Sequence, residues 1–253
     1  MDLYAAAPKS VKRAFELKCM VLGETPVLAG PGIPTSEFNR AFMIGDAARP
    51  DLHGIVQWLD AQASPEFALQ IAARGETADV KAWAIARGFA PSGTGLSKLT
   101  RDLSTRANER STITHSLDVI TDPDAALYGD IVIKSFGLPE ATSAWFASLV
   151  RRPNWRVFVA FLDGVAVGSG AMFLKNGWAW FGIDGTLEVA RGMGVQSTLI
   201  RHRIGTARML GVRFLTAETV RPFETDGSHV SRDNYLRNGF VELYYRSNYQ
   251  RLF

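Results

Sequence analysis

Six consecutive residues, Arg191-Gly192-Met193-Gly194-Val195-Gln196, are the part of this chain best suited to hold a ligand. They lie between an apolar run that reads as a strand, Trp178 to Ile183, and an amphipathic run that reads as a helix, Val195 to Leu210. Two glycines at such a junction let the backbone turn tightly and approach a bound group closely. The first turn of the helix offers unpaired N–H groups and the positive end of the helix dipole, and both favour a phosphate. The dinucleotide fingerprint Gly-x-Gly-x-x-Gly fails because Ser197 takes the third glycine position. No Gly-x-x-x-x-Gly-Lys-(Ser/Thr) string is present either. The loop therefore predicts backbone capture of an anionic cofactor by another scheme.

The remaining reactive side chains narrow the chemistry further. The four histidines, His53, His115, His202 and His229, have no metal-ligand spacing, and no metal site is expected. The single cysteine, Cys19, rules out an internal disulfide and a cysteine-rich metal site, and reads as a packing residue. With 253 residues, 47% hydrophobic and 21% charged, the composition is that of a globular protein of one large or two ordinary domains. A formal charge of +3 suits an anionic cofactor and is too small to argue for nucleic acid. No apolar run is long enough to span a bilayer and the N-terminus lacks a secretory pattern, so a cytoplasmic protein is expected, with no membrane partner.

Around the loop the elements follow from periodicity and turn chemistry. Val157 to Leu162, Val165 to Leu174 and Trp178 to Ile183 read as strands separated by Asp163-Gly164 and Asn176-Gly177, a three-strand antiparallel meander. The helix after the loop places Val195, Leu199, Ile200, Ile204 and Ala207 on one face. Val212 to Thr216 reads as a strand, Ser228 to Asn238 as a helix stopped by Gly239, and Phe240 to Tyr245 and Tyr249 to Phe253 as two closing strands. Upstream, Thr121-Asp122-Pro123 starts a helix over Asp124 to Phe136, followed by one over Glu140 to Val150. The fold class is α/β, with a mixed sheet and helices on its faces.

The first half reads as a blurred copy of the second. Strand Phe38 to Ile44, helix Asp51 to Ala61, strand Glu66 to Ala72 and helix Ala78 to Arg87 precede Gly88-Phe89, as the later elements precede Gly239-Phe240. The offset is 239 − 88 = 151 residues. Two domains are expected, 1–105 and 112–253, with the polar stretch Thr100 to Thr112 as linker.

With these elements in place, the chain resembles the GCN5-related N-acetyltransferases (GNAT), in a two-domain bacterial form. The resemblance rests on Arg191 and Gly194 in the pattern (Gln/Arg)-x-x-Gly-x-(Gly/Ala), and on Tyr235, Gly239 and Phe240 in the segment Asn234-Tyr235-Leu236-Arg237-Asn238-Gly239-Phe240. It covers 112–253 well and 35–105 in outline, through Asn39-Arg40 and Arg87-Gly88-Phe89. Gln196 departs from the pattern, and its side chain must either turn away from the pyrophosphate or contact it.

The resemblance implies tandem GNAT-like folds, acetyl-CoA as acyl donor, a small-molecule amine as acceptor, and a monomer or homodimer. Backbone groups from Arg191, Gly192, Met193, Gly194, Val195 and Gln196 would hold the pyrophosphate. The strand before the loop would pair with pantetheine around Leu187 and Val189, and Asn234 would bind the cofactor or cap backbone groups. Arg201, Arg232 and Arg237 are candidates for the 3′-phosphate. Transfer to an amine needs loss of an ammonium proton, a donor to the thioester carbonyl, and an acid for the leaving thiolate. Tyr235 is the candidate acid, and Asp184, Glu188 and Glu218 are candidate bases, with a water chain as the alternative. Phe136, Trp145, Phe146 and Tyr244 are candidates to line the acceptor pocket. The first half would be degenerate: Ala84 stands at the counterpart of Tyr235, and Ala47-Ala48-Arg49-Pro50-Asp51 has no glycine pair. A protein that binds acyl-CoA as a sensor, without turnover, is the other reading.

Overall fold

The computed structural model describes residues 1–45, 51–73, 77–105, 117–222 and 229–251. These form two compact units. One comprises Met1–Ser97, Val220–Glu224 and Tyr244–Phe253; the other comprises Lys98–Thr219 and Thr225–Leu243. The chain thus passes between units inside three strands, at Ser97/Lys98, Thr219/Val220 and Leu243/Tyr244.

The first unit opens with two short helices, α1 (Asp2–Ala6) and α2 (Lys9–Ala14), and a hairpin of β1 (Lys18–Leu22) and β2 (Thr25–Ala29). Then come β3 (Arg40–Ile44), α3 (Leu52–Gln62), β4 (Ala68–Ala72), α4 (Ala78–Ile85) and the 14-residue β5 (Phe89–Asp102), which leaves the unit after Ser97. Strands β3 and β4 are parallel. The second unit continues with β6 (Leu117–Thr121), α5 (Ala125–Phe136), α6 (Ser143–Ala147), β7 (Trp155–Leu162), β8 (Val165–Lys175) and β9 (Trp178–Thr186). It is followed by α7 (Val195–Met209), β10 (Phe214–Val220), α8 (Val230–Arg237) and β11 (Val241–Arg251). Strands β6 to β9 pair antiparallel in order, and β10 lies parallel to β9. From Tyr244 onward β11 belongs to the first unit, where Arg246 to Tyr249 pair antiparallel with β4.

Local chemistry accounts for these boundaries. Asp163-Gly164 and Asn176-Gly177 all have positive φ, as two-residue hairpin turns demand. The Asp124 carboxylate accepts from the Leu127 N–H at 3.0 Å and starts α5, and Gly137 ends it in the left-handed region. In α7 the buried face is Val195, Leu199, Ile200, Ile204 and Ala207, packed with Phe158, Met172 and Phe181 from the sheet. Full burial of each large aliphatic side chain contributes about 1.5–3 kcal/mol. In the first unit, Ile55 and Leu59 of α3 pack on Ile44, Leu69 and Ile71. There the buried Asn39 amide bonds Gly30, Ile33, Thr35 and Ser64 backbone groups and pins the loop before β3.

Several expected elements differ. The strand expected over Val212 to Thr216 is Phe214–Val220, because Gly211 and Val212 still close the end of α7 through a bond from the Val212 N–H to Ala207 O. The two expected closing strands are one continuous β11 to Arg251. The segment Glu140 to Val150 is a 3₁₀ turn, Glu140–Thr142, and then the five-residue α6. Thr100 to Asp102 are strand, while Arg106 to Thr112 of the expected linker lie outside the described residues, as do Ala47 to Pro50 and His115.

Candidate active site

The second unit opens where β9 and β10 part. Their parallel register runs from Trp178↔Phe214 to Phe181↔Ala217, whereas β9 continues to Thr186 and β10 to Val220. On its other edge β9 carries a bulge against β8, with Ala171 opposite Gly182 but Ser169 opposite Gly185. Ile183 has φ 55° and supplies the extra residue. Among the described residues the pairing with β10 ends at Phe181, one residue before the bulge segment, so the backbone of Gly182 to Thr186 has no strand partner on the β10 side. The corresponding pair in the first unit behaves differently. Met43 has φ 64° and β3 is also irregular between Ala41 and Ile44, but Ile44 still pairs with Ile71 beyond it.

Under the bulge lies a buried polar cluster. The Tyr235 hydroxyl donates to the Asp184 carboxylate. Arg203, fully buried on α7, places Nη1 2.6 Å from Asp184 Oδ1 and 3.0 Å from the Ala171 carbonyl oxygen, and Nε 3.2 Å from the Leu199 carbonyl oxygen. Its guanidinium lies 4.6 Å from the Phe181 ring centroid. Tyr235 packs edge-on against Phe240. Burial, then the neighbouring Asp184 charge, pushes the Tyr235 hydroxyl pKa well above the ordinary tyrosine value, so the group stays protonated. From α5, the Tyr128 hydroxyl is also fully buried, has no hydrogen-bond partner among the described residues, and is likewise held protonated, chiefly by burial.

The glycine loop sits at the start of α7. Gly192 and Gly194 have φ of 81° and 80°, and a Cβ at either would meet nothing within 4 Å. Gly194 is the N-cap of a 15-residue helix with no side-chain cap. The Gly194 carbonyl oxygen accepts from the Thr198 N–H, but the amides of Gly194, Val195 and Gln196 donate to no group among the described residues. Open glycine surface, free N–H groups and an uncapped dipole together form an anion cradle.

Gln196 is drawn away from that cradle. Its amide nitrogen donates to Ser231 Oγ at 2.8 Å, and its oxygen accepts from Asn234 Nδ2 at 2.8 Å. Asn234 Oδ1 in turn accepts from Ser197 Oγ at 3.1 Å and Arg237 Nη2 at 2.6 Å. The side chain at the atypical position therefore ties α7 to α8.

No family model and no curated protein matches the chain. Solved structures do. A GCN5-related N-acetyltransferase from Sphaerobacter thermophilus aligns over 89% of this chain and 79% of its own, with TM-score 0.63 and 16% identity. A tandem GNAT protein from the clavulanic acid biosynthesis pathway aligns over 89% and 77%, with TM-score 0.59 and 15% identity. A GCN5-related N-acetyltransferase from Kribbella flavida covers 98% of this chain and 94% of its own, with TM-score 0.57 and 14% identity. The fold is that of the GCN5-related N-acetyltransferases, in tandem.

Within this GNAT fold the expected site residues separate into groups. Arg191 to Gln196 form the loop, and Asn234 stands beside it through Gln196. Tyr235 and Asp184 meet each other. Asp184 is inside β9 and not beyond its end, because the bulge prolongs the strand. Glu218 lies on β10 past the last paired residue and bonds Lys98 at 3.3 Å. Leu187 and Val189 are not in a strand: Leu187 precedes the 3₁₀ turn Glu188–Ala190, its N–H is taken by Val167 O, and Val189 is 78% exposed. The free edge is instead Gly182 to Thr186. Arg232 pairs with Glu242 at 3.1 Å, while Arg201 Nη2 lies 3.1 Å from Thr198 Oγ1. Trp145 and Phe146 are core residues, Phe136 is exposed, and Tyr244 falls in the first unit. His202 stacks edge-on against Phe158 and contacts Thr121. Among the described residues no group of three or more His, Cys, Asp or Glu is placed to hold a metal. Sequence reasoning missed Arg203, Tyr128 and Trp180. Only Arg203 carried a signal, as a charge on the apolar face of the helix.

Proposed function

We propose that the second unit is an acetyl-CoA-dependent N-acetyltransferase for the primary amine of a small molecule, and that 112–253 carry its chemistry. The observation that supports this reading best is the unfilled N–H cradle of Gly194 to Gln196 beside the parted strands β9 and β10. Acetyl-CoA would supply an activated acetyl thioester. The amides of the loop suit a pyrophosphate, and the unpaired backbone of Gly182 to Thr186 suits the amides of a pantetheine arm.

The side chains divide the proton work. Asp184 faces a buried guanidinium and a hydroxyl donor, so it acts by holding Tyr235 and the bulge in place. Glu218, partly buried on β10 past its pairing with β9, would accept the ammonium proton. As the amine nitrogen bonds to the acetyl carbon, the carbon–sulfur bond breaks and the leaving thiolate needs a donor. Tyr235, kept protonated, fills that role by turning its O–H from Asp184 to sulfur.

Residues 1–105 are proposed to be a degenerate copy. Ile44 remains paired with Ile71, which leaves no free edge in the parallel pair, and Ala84 stands where Tyr235 stands in the second unit. The commitment of the Tyr235 hydroxyl to Asp184 favours a second reading, an acyl-CoA sensor without turnover. A cytoplasmic location and a monomer or homodimer complete the proposal.

The test has two parts. Calorimetry should show CoA binding that is lost in Gly194→Trp, since a side chain at φ 80° would be strained and would fill the cradle. Thiol release from acetyl-CoA across an amine library then separates enzyme from sensor. Unchanged CoA affinity in Gly194→Trp, or no binding by the parent chain, overturns both readings.

A further inference from the structure

The second unit presents an aromatic shelf on the sheet face opposite α7. Trp155, Phe173 and Trp180 stand in direct cross-strand register on β7, β8 and β9. Trp155 lies 5.0 Å from Phe173 and 6.3 Å from Trp180 between ring centroids. Their neighbours Phe158, Met172 and Phe181 point the other way, into the core with α7. Trp155 is buried, whereas Trp180 and Phe173 remain partly exposed. The Trp180 indole folds over Gly182, so closely that a Cβ there would overlap the ring. The shelf therefore ends at the first residue of the free β9 edge, one step before the bulge.

Polar groups flank that end. Thr216 on β10 is directly opposite Trp180, and Glu218 follows on the same face. The Thr216 hydroxyl oxygen is buried and has no hydrogen-bond partner among the described residues. Glu218 bonds Lys98 at 3.3 Å and brings a negative charge to this face. An indole face next to a carboxylate and an orphan hydroxyl is suited to an alkylammonium carrying a flat apolar body. A polyamine would bring further cations close to the Lys98 ammonium, which repels them.

We propose that this shelf is the acceptor subsite, that Trp180 determines specificity, and that the acceptor is an aromatic monoamine. The inference rests on the acetyltransferase reading of the same site. The amine would lie over the Trp180 indole with Glu218 at the nitrogen, and the aromatic body would run toward Phe173.

The test uses the full chain saturated with CoA and three probes: phenethylamine, phenethyl alcohol and spermidine. Calorimetry should show phenethylamine binding at least about 10-fold tighter than either of the others, the scale of one desolvated cation–π contact. Trp180→Leu should weaken phenethylamine by about 10-fold and leave CoA affinity within two-fold, about the noise of such a comparison. Gly182→Ala, which must push the indole aside, should also weaken phenethylamine when read at saturating CoA; because Gly182 lies on the pantetheine edge, its CoA affinity is not a criterion. Equal or tighter binding of spermidine, absence of phenethylamine binding to the CoA complex, or unchanged phenethylamine affinity in both variants overturns the proposal. Absence of CoA binding to the parent chain is read separately and overturns the acetyltransferase reading itself.

Discussion

Arg203 and Asp184 form an ion pair in which the guanidinium is fully buried and the carboxylate side chain only 10% exposed. Arg203→Met keeps most of the side-chain volume but strands the carboxylate beside a single hydroxyl donor. Breaking one half of a buried pair typically costs about 3–5 kcal/mol. Two backbone carbonyls, Ala171 and Leu199, lose their side-chain donor as well. Asp184→Asn should cost a similar amount, since it leaves the guanidinium uncompensated. With both substitutions no uncompensated charge remains, and the double variant should be more stable than the sum of the two by about 2 kcal/mol or more. Urea unfolding of the four proteins measures this directly. The same series should weaken CoA binding in the single variants, because the pair holds the bulge within the unpaired edge of β9. Additivity within about 0.5 kcal/mol would refute the reasoning, because it would mean that the two charges do not depend on each other.

The two buried tyrosines should respond in opposite ways. Tyr235→Phe removes a bond to a carboxylate and should cost about 1.5–3 kcal/mol in urea unfolding while slowing turnover, whereas Tyr128→Phe removes a hydroxyl that has no partner and should be neutral or stabilising. A comparable loss in Tyr128→Phe would show that its hydroxyl has a partner after all. Burial holds the His202 imidazole below its ordinary 6.5, so the unfolded chain binds the proton more readily. Its contribution is complete above that value and is lost as pH falls below it and through the lower folded-state pKa. His202→Gln should flatten stability between neutral and mildly acidic pH; an unchanged slope would exclude this residue as the source.

The legible parts of the fold were those where a local rule coincided with the final contacts. Asp163-Gly164 and Asn176-Gly177 took the predicted positive φ, and the apolar stripe of α7 became its buried face. The hairpin of β1 and β2 escaped because β1 is an edge with mostly exposed side chains and no alternation. The 14-residue β5 had no counterpart among the expected elements, and its last residues, Thr100 to Asp102, fall in the stretch expected as linker. Gly95 is required because a Cβ there would overlap the Arg246 backbone, a contact 151 residues away that no local window contains. The site shows the same division. Its loop is a contiguous string, but the Asp184–Arg203–Tyr235 cluster draws on a strand and two helices. Arg203 is buried because Asp184 and Phe181, both on β9, meet its guanidinium, contacts that no local window contains. The β9 bulge depends on one residue, Ile183, whose type gives no warning of positive φ.

The pairing of Arg246 to Tyr249 with β4 has a consequence for synthesis. The strand that completes the first unit is encoded about 170 residues after β4, so most of the second unit emerges from the ribosome before it. Until then β4 presents an unpaired edge, with Ala68, Leu69, Ile71 and Ala72 all apolar. The order of translation is therefore inverted in the order of closure: the half made first is finished last. A chain stopped after Leu243 would retain the glycine loop and the Tyr235 helix, yet carry that sticky edge permanently, and should fail by aggregation before any loss of chemistry.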